Sequence, residues 1–340
     1  MPTRDVIVIG GSAGALEALR TIVSGLPHDL PASIFVVIHS APGRESKLPD
    51  ILSRASPLSA TLATDKLLIE SGRIYVAPSD LHLIIENRHM ATVHGPKENR
   101  SRPAIDPLFR SAAVNYGPRV IGVLLSGSLD DGTAGLSAIK KSGGITIVQD
   151  PAEALYPTMP RSAIMNTSID HVLTTDEIAP LLRNLTKQEI VAKGGVSGVK
   201  EDLKTEVEIL GQELESEEMI ESVERLGRLS MFTCPECSGT LWELKDGELL
   251  RYRCHVGHAF SIESLDAAQS EKLEGALWSA LRALEERVAM ARRLAKQARE
   301  RKSDFAARQF DARAEEANQH AENIRQMLLA DPDKMLTRVG

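Results

Sequence analysis

The chain has 340 residues, a formal net charge of -7 and an isoelectric point near 5.8. A chain of this length has room for one domain of about 200 residues and smaller modules beside it. The acidic balance argues against a dedicated nucleic-acid-binding protein. No stretch approaches the roughly 18 apolar residues of a membrane span, and the first residues lack the features of an export signal. We therefore expect a soluble cytoplasmic protein with no membrane insertion and no nucleic-acid partner.

The first half of the chain alternates short apolar runs with helical segments. Strands are predicted at VIVIG (6–10), SIFVVIH (33–39), VIGVLLSG (120–127) and ITIVQD (145–150), with helices such as ALEALRTIVSGL and PLFRSAAVNY between them. This alternation is typical of βαβ units. The sequence predicts an α/β fold with a mostly parallel sheet, helices on both faces, and functional residues at the carboxyl ends of the strands.

A glycine-rich turn follows the first predicted strand. Residues 10–14 read GGSAG and match the pattern G-x-S-x-G, in which a serine is raised on a tight turn between a strand and a helix. A dinucleotide-binding turn is disfavoured, because Ser12 stands where the second glycine should admit the pyrophosphate. A simple helix cap at Ser12 remains an alternative. We favour Ser12 as a nucleophile.

A nucleophilic serine needs a base, and the base needs a group that orients it. His39 stands at the end of the second predicted strand, and Asp131 follows the strand that ends near residue 127. Because the carboxyl ends of parallel strands meet at one edge of a sheet, these residues are predicted to meet Ser12 there. A structural histidine and a helix-capping aspartate are the alternatives.

These motifs, with GRIYVAPSDLHL, ENRSRPAIDPLF and YPTMPRSAI, resemble the catalytic domain of the chemotaxis protein-glutamate methylesterases, the CheB family, over roughly residues 5 to 185. The resemblance implies a serine esterase that needs no cofactor and hydrolyses glutamyl γ-methyl esters in receptors or other signalling proteins, releasing methanol. It assigns the nucleophile to Ser12, the base to His39 and the orienting acid to Asp131. It also suggests oxyanion donors at Ala13 and around Ser128.

The chain departs from the family pattern in several places. Familiar members carry methionine at the position of Ser128 and glycine near Ala15, so we expect an altered substrate cleft. Asp130 is given at most a supporting role. The first strand begins near residue 6, which leaves no room for the receiver domain that precedes the esterase in regulated members. Two alternatives stay open, namely a signalling protein that hydrolyses little and a hydrolase of another ester or amide, including glutamine deamidation.

Further residues of the resembling motifs have two interpretations. His82, Arg100 and Arg102 either line the cleft or anchor loops.

The three cysteines of the chain all lie in a short C-terminal segment. Cys234 and Cys237 form a C-x-x-C pair, and Cys254 follows after sixteen residues, with His258 close behind. Two such knuckles joined by a β-hairpin are typical of a tetrahedral zinc site. We predict a structural zinc ion on these four residues, with His255 as the alternative to His258.

The sequence is divided into four segments by composition. They are a CheB-like methylesterase domain (1–187), a linker around KGGVSG (193–198) with an acidic helix (188–229), a zinc-ribbon-like module (230–262) and a helical hairpin or coiled coil (263–340). In the last segment, one helix face carries Leu277, Leu281, Leu284, Val288 and Leu294, and a break is predicted at 303–304 before a second helix with Phe310, Ile324 and Leu328. Its seam would close within one chain or between the two chains of a homodimer.

Overall fold

The computed structural model describes residues 2–40, 43, 46–190, 201–211, 216–246 and 249–329. The chain forms two compact units, Met1–Leu265 and Asp266–Gly340. The linker predicted at 193–198 lies outside the described residues, as does the hairpin turn at 247–248. The finer division into four segments remains a prediction.

The described part of residues 2–190 contains ten strands and six α-helices. The strands are β1 (Val6–Gly11), β2 (Ser33–Ile38), β3 (Ser59–Leu62), β4 (Leu67–Leu68), β5 (Arg73–Val76), β6 (His82–Glu86), β7 (His89–Val93), β8 (Val120–Leu124), β9 (Ile145–Gln149) and β10 (His171–Leu173). The helices are α1 (Ala15–Ser24), α2 (Leu48–Ala55), α3 (Ile105–Tyr116), α4 (Thr133–Lys141), α5 (Thr158–Asn166) and α6 (Thr175–Leu185), with a 3-10 turn at Gly117–Arg119.

Seven strands form one sheet in the order β10-β9-β8-β1-β2-β5-β3, and every neighbouring pair is parallel. Side chains alternate between two cores, so that Ile7 and Ile9 of β1 pack on one face while Val6 and Val8 pack on the other. This confirms the predicted α/β fold with helices on both faces. A separate antiparallel sheet has the order β4-β7-β6.

The strand order reverses direction at β1, because β2 lies on one side of it and β8 on the other. In open parallel sheets, the loops that diverge at such a point leave a crevice where ligands bind. The predicted residues Ser12, His39 and Asp131 follow β1, β2 and β8 in the chain. The fold therefore places all three predicted positions on neighbouring strand ends.

The rest of the first unit is two helices and a second sheet. The helices are α7 (Glu201–Gly211) and α8 (Ser216–Leu226). An antiparallel sheet in the order β11-β12-β13-β14 follows, with β11 (Gly227–Thr233), β12 (Thr240–Asp246), β13 (Leu249–Cys254) and β14 (Ala259–Ser261). The hairpin predicted between the cysteine pairs is β12 with β13. We refer to residues 227–261 as the cysteine module.

A buried charge cluster joins the cysteine module to the parallel-sheet domain. Glu98 and Arg110 come from the parallel-sheet domain, Glu206 from α7, and Arg251 and Arg253 from β13. Burial raises the pKa of Glu98, but Arg110 and Arg253 outweigh it and lower that pKa to about 2. The cluster is therefore ionised at neutral pH. Breaking such a pair leaves an uncompensated buried charge. The cluster therefore favours one way of packing the cysteine module against the parallel-sheet domain.

The second unit is built from two long helices, α9 (Ile262–Glu300), which begins at the end of the first unit, and α10 (Asp304–Leu329). The predicted break is present between them. Leu281 and Val288 are buried as predicted, and alanines fill the rest of the seam, at 291, 295 and 298 of α9 and 307, 314, 317 and 321 of α10. An ion pair joins Arg325 of α10 to Glu285 of α9 at 2.5 Å. The seam thus closes within one chain, and a homodimer remains a prediction. No described helix is both long and apolar enough to cross a bilayer.

Candidate active site and metal centre

The turn after β1 holds Ser12 between its two neighbouring strand ends. The backbone N–H of Ser12 donates to the Ser126 carbonyl at 2.9 Å, and the N–H of His39 donates to the Gly11 carbonyl at 3.2 Å. Ser12 is partly exposed, and within the described part of the chain its hydroxyl makes no hydrogen bond. The hydroxyl is thus left available at the mouth of the crevice.

Glycines make this turn possible. Gly14 has a φ of +75°, and a Cβ there would lie 2.8 Å from both the Leu155 Cβ and the Ser126 Oγ. That conformation favours glycine, and the close approach excludes a side chain. The Ser126 hydroxyl donates to the Ala13 carbonyl at 2.8 Å, which ties the turn to the loop after β8. Gly14, the last glycine of the G-x-S-x-G pattern, therefore shapes the turn that presents Ser12.

His39 and Asp131 form a direct hydrogen bond. The Nε2 atom of His39 lies 2.8 Å from Asp131 Oδ2, and their side chains are 18% and 3% exposed. Because a carboxylate only accepts, Nε2 carries the proton in the neutral ring and Nδ1 keeps its lone pair. The Nδ1 atom lies 3.4 Å from the Ser101 hydroxyl, a long contact. The ring therefore offers Nδ1 as the basic atom.

Among the described residues, the Asp131 carboxylate accepts hydrogen bonds from four donors. Besides His39, the donors are the backbone N–H of Ile105 at 2.7 Å, the Asn99 side-chain amide at 3.0 Å and the backbone N–H of Asp106 at 3.2 Å. Burial alone would raise the pKa of Asp131, but the His39 bond and these other donors lower it below its usual value. Asp131 is therefore a fixed anion beside the imidazole.

Asp130 points to different partners. Its Oδ1 accepts a hydrogen bond from the Ser261 hydroxyl at 2.6 Å. Burial, and next the hydrogen bond with Glu263, raise the pKa of Asp130 to about 8. Asp130 is thus neutral near pH 7 and oriented toward the segment that leads into α9.

The two candidate oxyanion positions lie close to Ser12. Ala13 and Ser128 are both exposed, and among the described residues their backbone N–H groups donate to no acceptor. Gly127 stands against Ser12, since a Cβ there would lie 3.0 Å from the Ser12 Cβ. Ala13 lies two residues before the start of α1, where the helix dipole favours negative charge. The arrangement leaves two unpaired amide donors on either side of the serine turn.

The family-like loop at 96–105 supplies site residues that the sequence did not single out. Asn99 lies in the left-handed region with a φ of +47° and donates to Asp131. His82 anchors both ends of the loop, because one ring nitrogen contacts the Pro96 carbonyl at 2.9 Å and the other accepts from the Ala104 N–H at 3.2 Å. The only hint of this role in the sequence is the residue type itself, since asparagine adopts a positive φ more readily than most residues do.

Of the other two residues proposed for the cleft, Arg102 is bound within the loops by the Asp80 carboxylate and the Gly95 carbonyl. His82 and Arg102 are thus loop anchors. Arg100 has a φ of +67° and is partly exposed.

The cysteine module brings three cysteines and a histidine together in a candidate metal site. The ligand atoms of Cys234, Cys237, Cys254 and His258 all lie within 4.8 Å of one another. The Cys237–Cys254 sulfur distance is 3.7 Å, and Cys254 Sγ lies 3.6 Å from His258 Nδ1. Bonds of about 2.3 Å to sulfur and about 2.0 Å to nitrogen in a tetrahedron give edges of roughly 3.5 to 3.8 Å. These two distances match tetrahedral edges, so the cluster could hold one four-coordinate cation.

The alternative ligand His255 is not part of this cluster. Its ring packs edge-on against Trp242, with ring centroids 6.3 Å apart. The hydrogen bond with Cys254, and next burial, raise the pKa of Cys234 to about 12. A bound cation favours the deprotonated thiol. The geometry thus favours His258 over His255.

Comparison with known proteins agrees with this architecture. The family model for CheB methylesterase matches residues 7–182. A putative protein-glutamate methylesterase/protein-glutamine glutaminase of Leptospira interrogans is 40% identical over 187 residues, which cover 55% of this chain and 97% of that protein. A protein-glutamate methylesterase/protein-glutamine glutaminase of Anaeromyxobacter dehalogenans is 40% identical over 183 residues, covering 54% of each chain.

A solved structure is similar to the same part of the chain. The crystal structure of the Thermotoga maritima CheB methylesterase catalytic domain aligns with a TM-score of 0.52 and 34% identity, and it covers 54% of this chain and 100% of that one. The residues that match the family model include all of the seven-stranded sheet except Val6, together with Ser12, His39 and Asp131. The chain therefore belongs to the CheB methylesterase family of enzymes.

Proposed function

We propose that the chain is a serine hydrolase that cleaves the γ-methyl ester of glutamyl side chains in chemoreceptors or related signalling proteins, using Ser12, His39 and Asp131. The single observation that carries the proposal is the 2.8 Å bond from His39 to the buried Asp131, at the strand end next to Ser12. A histidine held by a buried carboxylate near a partly exposed serine hydroxyl is the arrangement that activates a serine. The names of the relatives support the same substrate class.

The proposed reaction begins with attack on the ester. Nδ1 of His39 takes the proton of the Ser12 hydroxyl as Oγ bonds to the ester carbon, and the carbonyl electrons move to its oxygen. The resulting imidazolium then gives its proton to the methoxy group, which leaves as methanol when the tetrahedral intermediate collapses. Water repeats the sequence on the acyl-enzyme, so the products are a glutamate side chain and free Ser12. Throughout, Asp131 stabilises the imidazolium and holds Nε2 protonated.

The oxyanion of each intermediate is assigned to the backbone N–H groups of Ala13 and Ser128. Both groups lack an acceptor in the described structure and lie on the two loops that flank Ser12. Losing one such donor typically raises the barrier by about 3 to 4 kcal/mol. Proline at position 128 removes the N–H while leaving every triad side chain intact.

Glutamine deamidation is a second candidate activity. The printed names of the relatives couple the esterase to a protein-glutamine glutaminase. The chemistry differs only in the leaving group, which departs as ammonia in place of methanol after the same proton transfer from His39. One site would therefore carry both reactions.

We assign a structural zinc ion to Cys234, Cys237, Cys254 and His258. Four protein donors leave no coordination position open for substrate, so the ion would stabilise the module and take no part in catalysis. Elemental analysis of the purified full chain tests this assignment, with about one zinc per chain expected and loss of zinc in Cys254→Ser.

The activity is tested with purified chain and a receptor fragment carrying γ-methyl-labelled glutamate. We expect released methanol, and its loss in Ser12→Ala. Ser24→Ala is the matched control, since Ser24 lies exposed on α1 and donates only to the Thr21 carbonyl. Ammonia release from an unmethylated fragment with glutamine at the same positions measures the second activity. Equal methanol release by wild type and Ser12→Ala would end the assignment of Ser12.

A further inference from the structure

The side chain of Asn99 stands between the candidate triad and the cysteine module. Its Nδ2 donates to Asp131 Oδ1 at 3.0 Å and to Asp106 Oδ2 at 2.9 Å. Its Oδ1 accepts from the backbone N–H of Ser261 at 2.9 Å and from the Ser264 hydroxyl at 3.1 Å. Both amide hydrogens and both lone pairs are therefore in use. Asn99 is 8% exposed, so water does not replace these partners freely.

The donors on the Ser261 side decide which end of the Asn99 amide faces Asp131. A backbone N–H only donates, so the end of the amide beside Ser261 must be the oxygen. The nitrogen is then directed at the two carboxyl groups. With the amide reversed, its oxygen would face the Asp131 carboxylate, and an N–H would face the Ser261 N–H. The module thus selects the orientation that supports Asp131.

Backbone contacts fix Asn99 to the same part of the module. The N–H of Asn99 donates to the Ala259 carbonyl at 2.8 Å, and the N–H of Ala259 donates to the Lys97 carbonyl at 3.2 Å. The preceding residue, Glu98, is held by the arginines of the buried charge cluster. The loop that carries Asn99 is thus bound to β14 by main chain and to β13 by charge.

The candidate metal site lies directly before β14. His258 is followed at once by Ala259, and Ser261 is two residues further along. The Cys254 N–H donates to the His258 carbonyl at 3.0 Å, and the Gly257 N–H donates to the Cys254 carbonyl at 2.9 Å, so residues 254–258 form one tight knuckle. A cation bound to both ends of this knuckle would fix the start of β14. The position of Ser261 depends on that start.

We propose that Asn99 is a positioning residue for Asp131, and that the metal-loaded cysteine module holds Asn99 in its active orientation through Ser261, with Ser264 at the start of α9 as a second donor. The role of Asn99 rests on the proposed function, because it requires the triad of Ser12, His39 and Asp131. It makes the reactivity of Ser12 depend on the metal, although the metal touches no reacting atom. The cysteine module is then a part of the hydrolase, acting on the triad carboxylate through one amide.

The test follows the rate at which a fluorophosphonate probe modifies Ser12 in the full chain, because this rate reports triad activation without any protein substrate. Asn99→Gly deletes the amide and keeps the positive φ accessible. We expect labelling about tenfold slower, the factor that corresponds to one ordinary hydrogen bond. Ser264→Ala should also slow the labelling of Ser12, but by a smaller factor. Ser230→Ala is the matched control, since its hydroxyl binds the Leu241 carbonyl within the module, and it should label as wild type does.

The pH profile of labelling distinguishes a positioning role of Asn99 from a general loss of stability. Without the Asn99 donor, the Asp131 charge is less neutralised and stabilises the imidazolium more. The acidic limb of the labelling profile should therefore move to higher pH in Asn99→Gly. A variant that is only less stable would label more slowly at every pH, and the acidic limb of its profile would not move. That result would overturn the proposal.

Removing the metal from wild type and from Asn99→Gly tests whether the metal and Asn99 act on the same path. A chelator should slow labelling of wild type about tenfold, with metal content measured on the same sample and restored labelling on adding Zn²⁺. In Asn99→Gly the same treatment should change the rate by less than about twofold, because coupled sites are not additive. An equal loss in both proteins, or none in metal-free wild type, would refute the link. Cys237→Ser provides a second route to metal loss if the chelated protein precipitates.

The outcomes also separate this inference from the proposed substrate. Metal-dependent labelling through Asn99 with no methanol release would support the coupling and reject the methyl-ester activity. Failure of the probe to modify Ser12 in any sample would reject the triad and the coupling together.

Discussion

Replacing Asp131 with asparagine is the most direct test of the site. The carboxylate accepts from Ile105 and His39 on Oδ2 and from Asn99 and Asp106 on Oδ1. An amide has one oxygen, so its NH2 must face two of these donors in either orientation. Two hydrogen bonds to a charged group are lost, at about 1.5 to 3 kcal/mol each. Part of this is offset because a buried charge disappears, and we expect a net loss of about 3 kcal/mol in unfolding free energy.

The catalytic effect of Asp131→Asn is larger than its effect on folding. With NH2 toward His39, the ring must accept at Nε2, which puts the proton on Nδ1 and removes the base. With oxygen toward His39, the correct tautomer survives but the imidazolium loses its anion. Loss of about 3 to 4 kcal/mol of transition-state stabilisation corresponds to a kcat lower by roughly 10²- to 10³-fold.

Methanol release and probe labelling measure this effect, and thermal denaturation confirms that the variant is folded at the assay temperature. Asp130→Asn is the matched control, because it makes the same change one residue earlier and touches Ser261 in place of His39. It should keep most of the activity. A folded Asp131→Asn enzyme with kcat within about threefold of wild type would show that Asp131 does not orient the base.

Three further predictions concern stability. Burial and Glu263 raise the pKa of Asp130 to about 8 from an unfolded value near 3.8, so the stabilisation from its protonated form is complete at low pH and lost as the pH rises through about 8. Asp130→Asn should therefore gain Tm over wild type at pH 9 and not at pH 4. The pKa of Glu98 is lowered to about 2, against the effect of burial, by Arg110 and Arg253. Its stabilisation is present above about pH 4.5 and lost toward pH 2, so Glu98→Gln should cost about 3 kcal/mol in urea unfolding at pH 7 and progressively less below pH 4. Chelation should lower the Tm of the full chain reversibly, and a Tm unchanged at verified metal loss would contradict a structural ion.

Local patterns were sufficient to predict the parallel sheet and the positions of Ser12 and His39. Both follow long runs of β-branched residues, and parallel strands must place their carboxyl ends at one edge. Asp131 was harder to place, because it stands seven residues beyond β8 and Asp130 follows the same strand. The resemblance to the CheB family was needed to choose between them. The cysteine spacing predicted the hairpin and the four candidate ligands, since short knuckles carry their geometry in the local chain.

The buried charge cluster and the role of Asn99 were not predictable in this way. Charged residues such as Glu98 and Arg253 are expected at the surface from their type alone. Their burial depends on partners 12 to 155 residues away. Likewise, nothing in the residues around Asn99 indicates that Ser261 would satisfy its carbonyl. Long-range polar pairing is set by how two sheets meet, and single-sequence periodicity does not contain that information.

The loop at 96–105 explains how a segment outside the family domain reaches the site. The loop provides Glu98 to the charge cluster and Asn99 to Ser261 and Asp131, and it leads directly into the first turn of α3. In that turn the N–H groups of Ile105 and Asp106 donate to the Asp131 carboxylate. Three of the four described donors to Asp131 thus come from the loop and the helix turn that follows it. A displacement of that loop would change the position of Asp131 before it changed the sheet. We therefore expect substitutions in the module to alter the reactivity of Ser12 while leaving the α/β core unaffected.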